Sequence, residues 1–415
     1  MRIFSKVATA VAATLVGSSA FALPPGTVYN FKLVVAGSSA FQSSFKSELA
    51  TMCSDTLDSY NTQSGGPNLQ AYSCTLNSAA GSGLNGLKAI VFYRAEGGSV
   101  WGTIPGLSIK RIDPTVAGCT GASPTYTCTV TGYSLATDNI TSGAAVNDSV
   151  MLGVSDLEAS QFVLENWVDS TDGSLKLGTN PPAPIGGNPA VGQAFAVYVN
   201  KSVTGGVAGT PISISKQSLT SIFSGLYSDW SQVPNAAGTG FLSAGPISVC
   251  LRDAGSGTQA AASLFFNNQH CSDVGYAFAG SPFARNASTG TELTCVGNNA
   301  GAIGFAAIQS SNPANTSIVN IDGVVPSRVN AANGTYAFWY EVTFNSTPTS
   351  LSGNANTLAQ TLISRMQTAA TVPASSANVF ALPSFNTPVL PVDSAHPVSL
   401  GTRQGNSCLL PQGFN

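Results

Sequence analysis

Three stretches of this chain follow one pattern: an apolar, β-branched run, a short turn rich in glycine and serine, and then apolar residues at helical spacing. They are "FKLVVAGSSAFQSSFKSELATMC" (31–53), "SVMLGVSDLEASQFV" (149–163) and "PISVCLRDAGSGTQAAASLFF" (246–266). Each reads as strand, polar turn, helix. "GLKAIVFYR" (86–94) reads as a helix end turning into a strand, and "AFAVYVN" (194–200) and the glycine-punctuated "AGAIGFAAI" (300–308) as strands. "SKQSLTSIFSGLYSDWSQV" (215–233) predicts a serine-capped helix with Leu219, Ile222 and Phe223 on one face. Residues 95–147 are rich in glycine, threonine and serine and read as a β-rich insertion. No repeat of fixed period is present. Strands alternating with helices predict an α/β protein with mixed, mainly parallel sheets.

In such sheets, sites form at the carboxyl ends of strands, where polar turns open into helices. Four turns qualify: 37–41, 81–86, 153–157 and 252–258. A helix start leaves backbone N–H groups without partners and carries partial positive charge, so it attracts anions. Glycine admits close approach, and serine and threonine add hydroxyl donors. Converging starts make a nearly neutral cage for a small oxyanion, and Arg252 supplies a full positive charge in a fork that fits two oxygens. Alone, "GSGT" reads better as an ordinary helix cap after a strand; it is the set of four turns that favours a site.

Residues 81–86, "GSGLNG", match G-x-G-x-x-G literally, but "TLNSAA" precedes them and Glu96 comes too early for a dinucleotide fingerprint. Asp156 has two readings. It caps a helix beginning near Leu157, or it faces the anion. A carboxylate beside an anion is repulsive unless the ligand brings a proton to share, as monohydrogen phosphate does at neutral pH and sulfate does not.

Charge is scarce, 8% of residues against about 25% in an ordinary globular chain, so Arg252 stands out. No basic run points to nucleic acid or anionic lipid. The first 22 residues read as a cleavable signal peptide: Arg2 and Lys6, an apolar run, and a small-x-small site ending at Ala22. Its removal leaves 14 basic against 19 acidic side chains, a net charge of −5, and no later membrane anchor is expected. A mature length of about 390 residues suggests two domains. Eight cysteines in an exported chain predict disulfides, Cys119 with Cys128 first and Cys53 with Cys74 next, the other four unassigned. A zinc site is the weaker reading, since there is no C-x-x-C and His270 and His396 are the only histidines. No metal or cofactor is expected.

Together "RDAGSGT", "SLTSIFSGLYSDWSQV", "GVSDLE" and "GAIGF" resemble, in order, the phosphate-binding proteins of bacterial phosphate ABC transporters. The resemblance spans most of residues 30–310. It implies a two-domain type II periplasmic-binding-protein fold with a hinge of two crossing segments, near 196–200 and 304–308. Domain I would combine 28–197 with 308–415 and carry the 95–147 insertion; domain II would be 198–307. Carried over by position, Arg252, Ser256, Gly257 and Thr258 hold phosphate from domain II. Asp156 is the proton-sensing acceptor, Ser82 a hydroxyl donor and Phe41 a backbone donor. Ala40 stands where the family usually has threonine, so Ser39 replaces the lost hydroxyl. A family aspartate stands one place early, as Asp253, with Ala254 in its usual slot. The alignment at 81–86 needs a one-residue gap.

The resemblance implies a non-enzymatic, periplasmic or secreted binder of inorganic phosphate that serves an ABC transporter membrane complex. Two other classes fit the composition. One is an exported phosphoester hydrolase reusing the cage, against which stand the missing G-x-S-x-G elbow and H-x-x-x-H. The other is a secreted surface or matrix protein that kept the fold and lost the site.

Overall fold

The computed structural model describes residues 23–62, 69–95, 98–106, 108–112, 114, 119–128, 147–162, 187–205, 211–235, 237–269, 283–309, 313–347, 349–383 and 394–413. The expected signal peptide, His270, Cys271 and much of the 95–147 insertion lie outside them. The first strands are β1 (Phe31–Gly37), β2 (Asp58–Thr62), β3 (Leu69–Thr75), β4 (Lys88–Arg94), β5 (Ser108–Lys110), β6 (Cys119–Ala122), β7 (Thr125–Cys128), β8 (Asn147–Ser149) and β9 (Leu152–Ser155). Then come β10 (Asn188–Asn200), β11 (Ser213–Ile214), β12 (Ser248–Arg252), β13 (Ala284–Asn286), β14 (Ala302–Ala307), β15 (Thr316–Ile321), β16 (Trp339–Asn345), β17 (Val379–Ala381), β18 (Gly401–Thr402) and β19 (Gln412–Gly413). The helices are α1 (Gln42–Thr51), α2 (Lys216–Phe223), α3 (Gly257–Asn267), α4 (Thr289–Asn298), α5 (Arg328–Ala332) and α6 (Gly353–Met366).

Leu33, Val34, Val35 and Ala36 of β1 are all fully buried, so this strand is covered on both faces. Alternation along the strand sends Val34 and Ala36 into one core and Leu33 and Val35 into the other. The second core is roofed by α6, whose Ala355, Leu358, Ala359, Leu362 and Met366 recur at helical spacing, and by Phe45 and Leu49 of α1. Among the described residues, no helix is long and apolar enough to cross a membrane.

One mixed sheet runs β13-β12-β14-β10-β16-β9-β1-β4-β3-β2-β7-β6, with β15 and β17 also paired to β10. β1 lies parallel to β4 and β9, and β12 parallel to β13 and β14. Antiparallel ladders join β10 to β14, β15, β16 and β17, and link β2, β3 and β4. β2 with β7 and β11 with β15 are also parallel, and the sheet is less parallel overall than the alternation of elements suggests. β10 pairs with β16 up to Ala194 and with β14 from Phe195 onward.

Two local expectations differ. No helix precedes β4, because Gly81, Gly83 and Gly86 all take positive φ there. After β9 the chain makes only a 3₁₀ turn, Ala159–Gln161, within the described residues. Glu158 is extended at that point and accepts a local bond from Gln161 Nε2 at 3.0 Å and a tertiary one from Ser407 N–H at 2.8 Å. Disulfides join Cys53 to Cys74, Cys119 to Cys128 and Cys250 to Cys295. The first two match the sequence reading; the third ties β12 to α4.

Candidate functional site

The turns after β1, β4, β9 and β12 converge. Ser38, the first residue past β1, is fully buried; its N–H donates to Val154 O at 2.9 Å and its hydroxyl to Asp156 Oδ1. Phe41 N–H in turn donates to Ser38 Oγ at 2.9 Å. After β4, Ser99 Oγ accepts the Asp156 N–H at 3.1 Å, and Val100 N–H donates to Gly255 O at 3.1 Å. Thr258 Oγ1, in the first turn of α3, lies 3.5 Å from Asp156 Oδ2. Glycine is required where α3 begins. A Cβ on Gly257 would lie 2.3 Å from Ser99 Oγ and 2.6 Å from Asp156 Cβ, closer than side chains pack.

Arg252 ends β12 with its guanidinium turned inward, 0% exposed. Nε donates to Asn286 O at 3.0 Å, Nη2 to Ala287 O and Ser39 Oγ at 3.2 Å each, and Nη1 to Thr289 Oγ1 at 3.4 Å. These partners are neutral oxygens, Ser39 in the turn after β1 and the others from β13 to the start of α4, while the carboxylates of Glu292, Asp253 and Asp156 act on the guanidinium through space. Behind it, Glu292 of α4 accepts from Asn286 Nδ2 at 2.9 Å and Phe305 N–H at 3.3 Å.

Burial sets the electrostatics. Asp156 is 1% exposed. Desolvation raises its pKa, opposed by bonds from Ser38 and Ser99, the charge of Arg252 and a bond from Gln193. Glu292 is pushed up to about 7, again by burial first, with the Arg252 charge opposing. A buried cation and a buried carboxylic acceptor thus face a set of hydroxyl and amide donors, an arrangement suited to a small anion that carries a proton.

Of the sequence candidates, Ser39, Asp156, Arg252, Gly257 and Thr258 come together here. Ser256 is adjacent and caps α3, accepting Gln259 N–H at 3.3 Å. Ala40 and Phe41 are buried in the same turn as Ser39, and the Phe41 ring packs edge-on against Phe344. Ser82 is not part of the cluster. It is exposed in the turn before β4, where neighbouring Gly81 packs against Thr357 and Thr361 of α6. Because β4 pairs parallel with β1 over six residues, that turn lies at the opposite end of the strands, about 20 Å away at ~3.3 Å per residue. Ser99, at the carboxyl end of β4, occupies the position assigned to it. Sequence reasoning missed Ser38, Ser99, Gln193, Thr289 and Glu292; "GGS" following the β4 run was the available signal for Ser99.

Residues 184–364, somewhat under half of the chain, match the PBP superfamily domain. That segment spans β10 to α6 and includes Arg252, Ser256, Gly257 and Thr258. No curated protein matches the sequence. Among solved structures, the chain is similar to a Clostridium perfringens protein assigned as a phosphate ABC transporter substrate-binding protein and solved with phosphate bound. That likeness has 12% identity over 84% of this chain and 99% of the other, with a TM-score of 0.47. An ABC-type phosphate transport receptor from Vibrio cholerae is similar at 17% identity over 51% of this chain and 73% of its own, with a TM-score of 0.35.

Proposed function

We propose that this chain is a non-enzymatic solute-binding protein that captures inorganic phosphate between two domains and passes it to an ABC-type uptake complex. The observation that carries this reading is the pairing of two buried, oppositely charged groups, Arg252 and Asp156, in one cage of neutral donors. Arg252 attracts the anion, Asp156 demands a proton from it, and Ser39, Ser99 and the start of α3 with Ser256, Gly257 and Thr258 supply hydrogen bonds, while the Phe41 N–H, expected as a further donor, is engaged by Ser38 Oγ. In this reading 28–197 with 308–415 form domain I and 198–307 form domain II. The change of β10 partners at Ala194 and Phe195 supports a hinge there. The disulfides among the described residues support an oxidising, exported setting, consistent with a signal peptide at 1–22. Calorimetry of the purified protein with phosphate and with sulfate tests the reading: heat is expected for phosphate alone, and silence with both anions rejects it.

A further inference from the structure

Gln193 lies on β10 one residue before the strand changes partners, and it is fully buried. Its Nε2 donates to Asp156 Oδ1 at 3.3 Å. That bond fixes the orientation of the amide, since a flipped group would set Oε1 against a carboxylate oxygen. The other arm, Oε1, is buried with no hydrogen-bond partner. Asp156 is also nearly saturated. A carboxylate accepts about four donors, and Ser38 and Gln193 occupy Oδ1 while Thr258 approaches Oδ2. One acceptor position remains on Asp156, and one unsatisfied acceptor stands beside it on Gln193.

We infer that Gln193 is a specificity-determining residue of the cage: with Asp156 it forms a pair of acceptors that selects tetrahedral oxyanions carrying two hydroxyl groups, the dihydrogen phosphate class. This rests on the phosphate reading above. An isolated buried acceptor is costly, and a ligand with two acidic hydrogens satisfies both acceptors at once. A ligand with one satisfies only one, and sulfate satisfies neither.

The test is calorimetry in acidic buffer, well below the second ionisations of phosphate and phosphite, with phosphate, phosphite and sulfate, whose monoanion, monoanion and dianion then carry two, one and no hydroxyls. The proteins are wild type, Gln193→Met and Gln193→Glu. Methionine keeps the volume and removes the acceptor, whereas glutamate keeps an oxygen acceptor there. In Gln193→Met the phosphate-to-phosphite affinity ratio is expected to fall about tenfold, while the phosphite-to-sulfate ratio, set by Asp156, stays as in wild type. Gln193→Glu is expected to retain the phosphate-to-phosphite ratio even if it weakens all three anions. Ligand-free thermal unfolding checks that both variants fold. An unchanged phosphate-to-phosphite ratio in Gln193→Met, or equal falls in both variants, overturns the inference while leaving phosphate binding intact. Wild type that binds none of the anions overturns the phosphate reading itself.

Discussion

Gly257→Ala separates two effects of opposite sign. At the first position of α3, alanine is the better helix former by up to about 1 kcal/mol, so local propensity favours the variant. The added methyl, however, would sit 2.3 Å from Ser99 Oγ, 2.6 Å from Asp156 Cβ and 2.7 Å from Asp156 Oδ2. Those atoms belong to the turns after β4 and β9, so relief requires moving the start of α3 away from them by about an ångström. Overpacking of this kind costs about 1–3 kcal/mol, and it falls only on the arrangement in which the turns meet. At 1.4 kcal/mol per decade, phosphate affinity should drop by about 5- to 150-fold, while the melting temperature of the ligand-free protein stays level or rises. Titration calorimetry reads the first and ligand-free thermal unfolding the second. Wild-type affinity in Gly257→Ala would refute the claim that α3 closes against Asp156 and Ser99.

Asp156→Asn should narrow the discrimination of phosphate against sulfate by about tenfold or more, since an amide can donate to a deprotonated oxyanion; an unchanged ratio by competition titration assigns Asp156 to structure alone. Ser99→Ala should weaken phosphate binding by several-fold, whereas Ser82→Ala at the far end of the strands should leave it unchanged; the reverse pattern in calorimetry would return the hydroxyl role to Ser82. Glu292, raised from 4.5 to about 7 in the folded protein, binds its proton more tightly folded than unfolded. Its contribution to stability is therefore full below pH 4.5 and lost as pH rises through about 7, by up to about 3 kcal/mol. Urea midpoints of wild type and Glu292→Gln between pH 4.5 and 8 should diverge in that sense, and parallel profiles would contradict it.

The strand–turn–helix at 246–266 was legible because every local signal agreed: a β-branched run, a turn of small residues, a serine at the cap and an apolar helix. β12, Ser256 and α3 follow from it residue by residue. Asp156 was legible as a site residue, but its surroundings were not, because Ser38, Ser99 and Gln193 lie 118, 57 and 37 positions away along the chain. Ser82 was misplaced for a topological reason. A glycine-serine turn looks the same before a strand as after it, and only the parallel pairing of β4 with β1 shows which end of the sheet it occupies. The Cys250–Cys295 bridge was beyond local reasoning for the same cause: its halves are 45 residues apart and meet only once α4 packs on β12.

The most direct test of the cage is a crystal structure of the protein grown with phosphate. A tetrahedral ligand hydrogen-bonded to both the Arg252 guanidinium and the Asp156 carboxylate, with the start of α3 donating to it, is the predicted result. Phosphate bound elsewhere, with Arg252 and Asp156 still engaged only with protein atoms, would contradict the account.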